Sequence, residues 1–300
     1  MVYTITLNPA LDYVMKVGKL RYDDINRSKS EEIYYGGKGI NVSVILTRLG
    51  VHNKALGFVA GFTGRKLEQM LVDEGIDCDF NRLLNGQTRI NVKIKADTEL
   101  DVNASGPDIS EDDIKKLMDK LDNIGEGDYL VLAGSIPSTL PDDIYERILS
   151  RLQSRGVNFI VDATGDLLKK ALPYKPFLVK PNHHELGDLF GVETKTEEDI
   201  VRYARKVQKM GARNVLVSRA KDGATLIDEN AQVTTFANVD GELVNSVGCG
   251  DSMVAGFVAG YINKKDYAYA LKLGAACGNA TAFSEELATA DEIKKVFEIM

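Results

Sequence analysis

Short apolar runs alternate along most of this chain with longer segments whose apolar residues recur at helical spacing. The runs Tyr3–Leu7, Lys54–Val59, Tyr129–Ala133, Phe159–Asp162, Phe177–Lys180 and Asn214–Ser218 read as strands. Between them, Ile40–Leu49, Arg65–Glu74, Glu111–Asn123, Asp142–Arg155 and Glu197–Met210 read as helices. Strands that are apolar on both faces belong to a parallel sheet covered on both sides. The expected fold class is α/β: a doubly wound, mostly parallel sheet with helices on both faces.

Two segments break this rhythm. Residues 12–35 alternate between polar and apolar with no helical stretch, and residues 88–103 read as Arg89–Ile94 and Glu99–Asn103 around a turn at Ala96-Asp97-Thr98. Period-two alternation favours a small separate β-sheet over a pair of surface loops. The predicted division is a core of residues 1–11, 36–87 and 104–300 and a β lid of residues 12–35 and 88–103.

The strand ends collect polar and turn residues: Asn8-Pro9, Gly134-Ser135-Ile136-Pro137, Asp162, Lys180-Pro181-Asn182 and Ser218. Open parallel sheets bind ligands at the carboxyl ends of their strands, so this rim is the predicted working face.

Composition narrows the function classes. The 300 residues are 44% hydrophobic and 27% charged, enough for a substantial core. A net charge of −7 argues against a nucleic-acid partner. The three cysteines, Cys78, Cys249 and Cys277, are scattered and odd in number, which argues against a disulfide framework and fits a reducing cytoplasm. The opening Met1–Pro9 reads as a strand rather than a signal peptide, and no apolar run reaches membrane-spanning length.

The richest stretch is Val244–Met253, holding Gly248-Cys249-Gly250-Asp251, followed by the small apolar run Val254–Gly260. Glycines let successive N–H groups point into one concavity, and a following helix adds its positive end. A carboxylate beside such an anion site makes sense as a base that takes a proton from an attacking hydroxyl. An ordinary helix cap with Asp251 in the first turn is the equal alternative on this motif alone.

Further candidates lie elsewhere. Gly36-Gly37-Lys38-Gly39-Ile40-Asn41 precedes a helix and offers close backbone approach, a cation and an amide. It is not a P-loop, because Gly39 stands where Ser or Thr must follow the lysine, and it lacks the dinucleotide spacing. Asp12 can accept from two neighbouring sugar hydroxyls. Arg27 and Arg89, in the lid segments, suit a phosphate ester. In Lys180-Pro181-Asn182-His183-His184-Glu185, Glu185 can hold Mg²⁺ through water, whereas zinc lacks a second histidine at usable spacing. Ser218–Gly223 forms a turn after a strand that suits a nucleotide or a plain hairpin, and Asn279 is the polar member of a small-residue helix.

Together these motifs resemble the ribokinase-like sugar kinases, the carbohydrate kinase B group, over nearly the whole chain. Gly36–Asn41 looks like the N-terminal signature and Gly248–Asp251 like the C-terminal anion-hole signature. Thr6–Asp12 is similar to the hexose-phosphate branch. Thr88–Lys93 and Ala276–Phe283 are most similar to the kinases of fructose 1-phosphate, with those of tagatose 6-phosphate next.

The resemblance implies ATP and Mg²⁺ as cofactors and a ketohexose phosphate as substrate, fructose 1-phosphate foremost. It implies Asp251 as base and the N–H groups of Gly248, Cys249 and Gly250 as the anion hole. Asp12, Gly37, Lys38 and Asn41 would bind the sugar, and Arg89 with Arg27 and Lys38 its phosphate. Lys180, Asn182, Ser218, Gly223, Gly250 and Asn279 would serve the nucleotide, and Glu185 the metal. A homodimer through the lid is expected. Intact Asp251 and Glu185 disfavour a catalytically silent sugar-phosphate regulator.

The sequence departs from the pattern twice. Cys249 replaces the usual Ala, and a thiol at a helix N-terminus is expected to have a lowered pKa and to be open to oxidation or alkylation. Ala220 replaces a usual Gly, at a cost of about 1–2 kcal/mol if that position needs positive φ.

Overall fold

The structure is a computed structural model that describes residues 1–134 and 136–300. Ser135, named above at the second of the strand ends, lies outside the described residues. The chain begins with β1 (Val2–Thr6), β2 (Ala10–Lys16), β3 (Ser30–Gly36), α1 (Lys38–Arg48), β4 (Asn53–Ala60) and α2 (Gly61–Asp73). Short β5 (Asp77–Cys78) and β6 (Asn81–Leu83) follow, then β7 (Arg89–Lys95), β8 (Glu99–Asn103) and α3 (Glu111–Leu121). Next come β9 (Tyr129–Ala133), α4 (Ile144–Leu152), β10 (Asn158–Asp162), α5 (Gly165–Ala171), β11 (Leu178–Val179), α6 (His183–Asp188) and α7 (Glu197–Met210). The chain ends with β12 (Asn214–Ser218), β13 (Ala224–Ile227), β14 (Val233–Phe236), α8 (Cys249–Lys264), α9 (Tyr267–Ala282) and α10 (Ala290–Ile299).

The large sheet has the order β14-β13-β12-β11-β10-β9-β1-β4-β5, with β6 on β4. It is parallel from β12 to β5 and ends in the antiparallel hairpin β12-β13-β14. The doubly wound α/β class is the observed one. Its central strands are apolar on both faces because helices cover both. Leu117, Ile148, Leu168 and Ala204 pack on one side; Val42, Val254, Phe257 and Ala276 pack on the other. From β1 the chain moves outward through β4 on one side and later through β9 and β10 on the other. The strand ends at β1 and β9 therefore flank the topological switch, where ligands of open sheets bind.

A separate sheet, β3-β2-β7-β8, stands over that rim. Its β2 pairs antiparallel with β3 and parallel with β7. Its strands run from Ala10 to Gly36 in the first hairpin, extending beyond 12–35 at both ends. Alternation sorts its two faces. Asp12, Val14, Lys16, Glu32, Tyr34, Lys93 and Lys95 share the face toward the large sheet's rim. Tyr13, Ile33, Val92 and Val102 share the other.

The helix pair α8–α9 fixes the most chemically loaded end of the core. A Cβ at Gly256 would sit 2.7 Å from the Leu273 carbonyl oxygen and 2.9 Å from Gly274 Cα; one at Gly274 would sit 2.8 Å from the Met253 carbonyl oxygen. The two backbones touch because the residues between them have no side chains. Gly256→Ala is expected to lower stability by about 1–3 kcal/mol through overpacking, read as a lower midpoint in urea unfolding. An unchanged midpoint would show that the pair has slack.

Candidate active site

A cavity of about 770 Å³ lies between the lid and the large sheet. The end of β1 (Thr6, Leu7, Asn8), the end of β9 (Ala133, Gly134), the start of α1, the turn Val244–Gly248, Asp251 and the segment Glu285–Leu287 form its floor and walls. Asp12, Lys16, Tyr34, Arg89, Lys93 and Lys95 line it from the lid.

Helices α1 and α8 both begin on glycine, at Gly37 and Gly248, without a side-chain cap. By contrast Ser110, Asn182, Thr196, Asp266 and Thr289 cap α3, α6, α7, α9 and α10. Gly248 has φ +79°, a left-handed conformation that favours glycine. No side chain therefore spends the first-turn N–H groups of α8. No side chain caps α2, α4 or α5 either; α8 is set apart by opening on a left-handed glycine with Asp251 in its first turn. The starts of α1 and α8 converge: Asn41 Nδ2 donates to Asp251 Oδ2 at 2.8 Å.

Asp251 is buried at 5% exposure. Burial and the negative charge of Asp162 push its carboxyl up to about 7, against the Asn41 hydrogen bond and the pull of Lys38 and Lys180. Asp162, at the end of β10, is also buried. It bridges Lys180 Nζ and Lys38 Nζ, both at 3.3 Å. Burial alone would raise the Asp162 carboxyl, but Lys180 and then Lys38 hold it below the usual carboxylate range. Burial alone would lower the Lys38 ammonium; Asp162 and Asp251 raise it, with a smaller contribution from Glu185. Lys180 reaches the start of α8, since a Cβ at Gly250 would lie 3.0 Å from its Nζ.

In the lid, Asp12 accepts from Asn91 Nδ2 at 2.8 Å and pairs with Lys93 Nζ at 2.8 Å. Arg89 donates from Nε to the Asn8 carbonyl at 3.1 Å and is half-buried. Asp12, Gly37, Lys38, Asn41, Arg89, Gly248 and Asp251 thus meet around one cavity. Lys180 stands just behind it.

Other predicted site residues fall elsewhere. Arg27 is exposed on the loop beyond the far end of the β2–β3 hairpin and does not line the cavity of its own chain. Asn182 and Glu185 form a reciprocal capping box on α6, with Asn182 N donating to Glu185 Oε2 and Glu185 N to Asn182 Oδ1, each at 2.8 Å. Asn182 is bridged to Ser218 at the adjoining strand ends, so these two remain side by side on the rim. Gly223 is buried with φ +93°, and a Cβ there would strike the Phe236 carbonyl oxygen at 2.0 Å, so only glycine fits. Asn279 is buried at 5% exposure and donates from Nδ2 to the Ala275 carbonyl one turn earlier. Ala220 has φ +48°, so the strain anticipated for this position is present.

The expected lowering of the Cys249 pKa is overturned. Burial and the neighbouring Asp251 push the thiol up to about 11, and its Sγ donates to the Asn245 carbonyl at 3.4 Å. Desolvation outweighs the helix terminus in setting this pKa.

Sequence reasoning put Asp162 on the working rim without a chemical role, and assigned none to Asn91, Lys93, Tyr34 or Glu285–Leu287. Asp162 had a legible signal: an acid ending an otherwise apolar buried strand. Lys93 follows from alternation, which puts it on the Arg89 face. The segment Glu285–Leu287 carries no pattern that points to a site.

Among the described residues no group of three His, Cys, Asp or Glu side chains could hold a metal unaided. Mg²⁺ needs fewer protein ligands, because it keeps water and binds through phosphates with one or two carboxylates. Glu185, close enough to Lys38 to raise it, fits that donor set.

The model of the pfkB family of carbohydrate kinases matches residues 2–294. The chain belongs to this family. A 1-phosphofructokinase of Bacillus subtilis is 46% identical over 99% of this chain and 97% of its own length. A D-tagatose-1-phosphate kinase of Bacillus licheniformis is 37% identical over 96% of this chain and 94% of its own. The crystal structure of Escherichia coli phosphofructokinase-2 in complex with substrates and products superposes with a TM-score of 0.93 at 27% identity, covering 99% and 98% of the two chains. The protein is thus a carbohydrate kinase on a ribokinase-like fold with a small β-sheet.

The buried carboxyl of Asp251 carries a cost. An aspartate in the unfolded chain titrates near 3.8, so between there and about 7 the folded protein holds a proton that the unfolded chain has lost. This contribution to stability is complete below the lower value and is lost as pH rises through the upper one. Asp251→Asn is therefore expected to be more stable than the wild type at about pH 8, with the difference shrinking toward about pH 5. Urea unfolding across that range reads it; a constant difference would mean that Asp251 ionises at no cost.

Proposed function

We propose that this kinase transfers the terminal phosphoryl group of Mg-ATP to fructose 1-phosphate, giving fructose 1,6-bisphosphate. The observation that carries the reading is Asp251. It is a carboxylate raised to about 7, held by Asn41 at the uncapped start of α8, facing a cavity whose lid offers Asp12, Arg89 and Lys93. The name of the full-length Bacillus subtilis relative supports it.

Asp251 takes the proton of the sugar's C6 hydroxyl as that oxygen bonds the phosphorus and the bond to the ADP oxygen breaks. The N–H groups of Gly248, Cys249 and Gly250 face the charge gathering on the transferred group. Lys38 and Lys180 neutralise it further, and Asp162 holds both ammonium groups in position. Asp12 accepts from sugar hydroxyls, while Arg89 and Lys93 grip the existing phosphate. Asn182 and Ser218 serve the nucleotide along the rim. Glu185 would hold Mg²⁺ through water, and the ion would supply charge neutralisation for the ATP phosphates. The side chain of Asn279 and the glycine at 223 fit packing better than nucleotide contact.

A second reading, D-tagatose 1-phosphate, is favoured by the name of the Bacillus licheniformis relative. Both names put the substrate phosphate on C1, which weakens tagatose 6-phosphate as the alternative. A silent regulator fits poorly with an intact base and an uncapped helix start.

The lid's outer face supports a homodimer. Ile33, Ile90, Leu100 and Val102 are 45%, 38%, 41% and 55% exposed on one small sheet. A second copy of the same lid would cover them.

Two measurements test these readings. A coupled ADP-release assay should show turnover of fructose 1-phosphate well above that of tagatose 1-phosphate, fructose 6-phosphate and tagatose 6-phosphate. Asp251→Asn should lower kcat by about 10²–10⁴-fold with little change in KM. Preference for another sugar phosphate overturns the substrate, and near-wild-type kcat in the variant overturns the base. In light scattering, Val102→Asp should convert a dimer to a monomer; a wild-type monomer, or a variant that stays dimeric, removes the lid interface.

A further inference from the structure

Arg48 ends α1 and stands behind the cavity wall without lining the cavity. Its Nη1 donates to the Leu287 carbonyl and, at 3.2 Å, to the Ala288 carbonyl. Its Nη2 donates to the Tyr35 hydroxyl at 3.2 Å and to Glu74 Oε1 at 3.0 Å. The Tyr35 hydroxyl donates to the same Glu74 oxygen at 3.0 Å. One planar fork thus joins α1, the end of α2, the lid strand β3 and the segment leading into α10.

Two of these pieces are cavity walls, carrying Tyr35 and Leu287. Each leads to a different part of the proposed chemistry. Leu287 packs on the anion-hole turn, since a Cβ at Gly248 would lie 2.5 Å from Leu287 Cδ2. Tyr35 pairs with Leu11 on β2, the residue before Asp12. Arg48 therefore lies one contact from the wall of the phosphoryl-transfer turn and one contact from the base of the lid. An exposed ion pair would carry little weight. This side chain is only 17% exposed, and its loss would leave the partly buried Leu287 and Ala288 carbonyls without their donor. Lysine cannot replace it, because a single ammonium cannot span the positions that the guanidinium fork reaches.

We infer that Arg48 is a positioning residue for phosphoryl transfer, holding the lid base and the α8 anion-hole turn in one register. The inference rests on the kinase reading above. Transfer needs the sugar hydroxyl, the base and the anion hole aligned together, and a misplacement of about 1 Å costs about 10²-fold in rate. The two arms predict different kinetic signatures. The lid arm governs how the sugar is held, and the Leu287 arm governs the turn that faces the transferred group.

Steady-state kinetics on the full-length enzyme tests this. Arg48→Lys is expected to lower kcat about 10-fold to 100-fold with KM for ATP within about twofold, in protein still folded at the assay temperature by circular dichroism. Tyr35→Phe, which cuts the lid arm, should raise KM for the sugar phosphate more than it lowers kcat. Leu287→Ala, which unseats Gly248, should lower kcat more than it raises that KM. Added guanidinium ion should restore part of the kcat of Arg48→Ala and none in wild type. If Arg48→Lys loses stability but keeps wild-type kcat, Arg48 is only a staple and the inference falls. Should the Arg48 variants not fold, the inference also falls if Tyr35→Phe and Leu287→Ala shift both parameters alike or neither. A wild type that turns over no sugar phosphate instead overturns the kinase reading itself.

Discussion

The active end of this molecule depends on keeping two carboxylates buried a short way apart beside two ammonium groups. Asp162 is held ionised by Lys38 and Lys180, and its charge then helps drive Asp251 upward. The same acid that pairs with the lysines therefore raises the proposed base. Neither effect survives in water, where such charges at contact distance interact by about 1 kcal/mol. Burial makes the cluster work, and burial requires the sheet rim, α1 and α8 to meet there without a gap. The glycines at 256 and 274 let α8 lie on α9 backbone to backbone, and Gly39, whose Cβ would lie 2.8 Å from the Ile5 carbonyl oxygen, lets α1 start against β1. Close packing sets the positions of the charges, and the charges set the chemistry.

Much of this was legible in the sequence, for reasons that differ by residue. Apolar runs such as Tyr129–Ala133 and amphipathic stretches such as Glu197–Met210 gave elements with the observed limits. Those positions answer to burial alone. The lid was legible because alternation survives in a sheet with one polar face. What sequence could not see was conditional on three-dimensional neighbours. Cys249 was expected to be reactive from its place at a helix start, but its pKa depends on how deeply that start is buried and on Asp251 beside it. Asn279 and Gly223 carry residue types that suit a ligand, but only the folded chain shows the Asn279 bond to the Ala275 carbonyl and the close backbone approach at Gly223. Arg27 belongs to the lid by sequence, but it sits exposed on the loop that joins β2 to β3 and does not line the cavity of its own chain. Ala220 shows the reverse case, since a departure from a residue pattern correctly announced a strained backbone.

The lid raises a question that its charges answer. Its inner face carries Lys16, Lys93, Lys95 and Arg89 together with Asp12, Glu32, Glu99 and Asp101. Two ion pairs form within this set: Lys93 pairs with Asp12 at 2.8 Å and Lys16 with Glu32 at 3.7 Å. A neutral sugar entering this face would have to compete with ion pairs and would bring nothing for the cations. A sugar phosphate brings a dianion that can take over the lysines while its hydroxyls turn to the carboxylates, so both halves of each pair keep a partner. Unmet desolvation then penalises the unphosphorylated sugar. That penalty is the stronger route to discrimination, because stranding a buried charged group costs more than one new hydrogen bond contributes. On the kinase reading, preference for an already phosphorylated acceptor follows from acids and bases interleaved on one face, and a purely basic lid would attract anions without choosing among them.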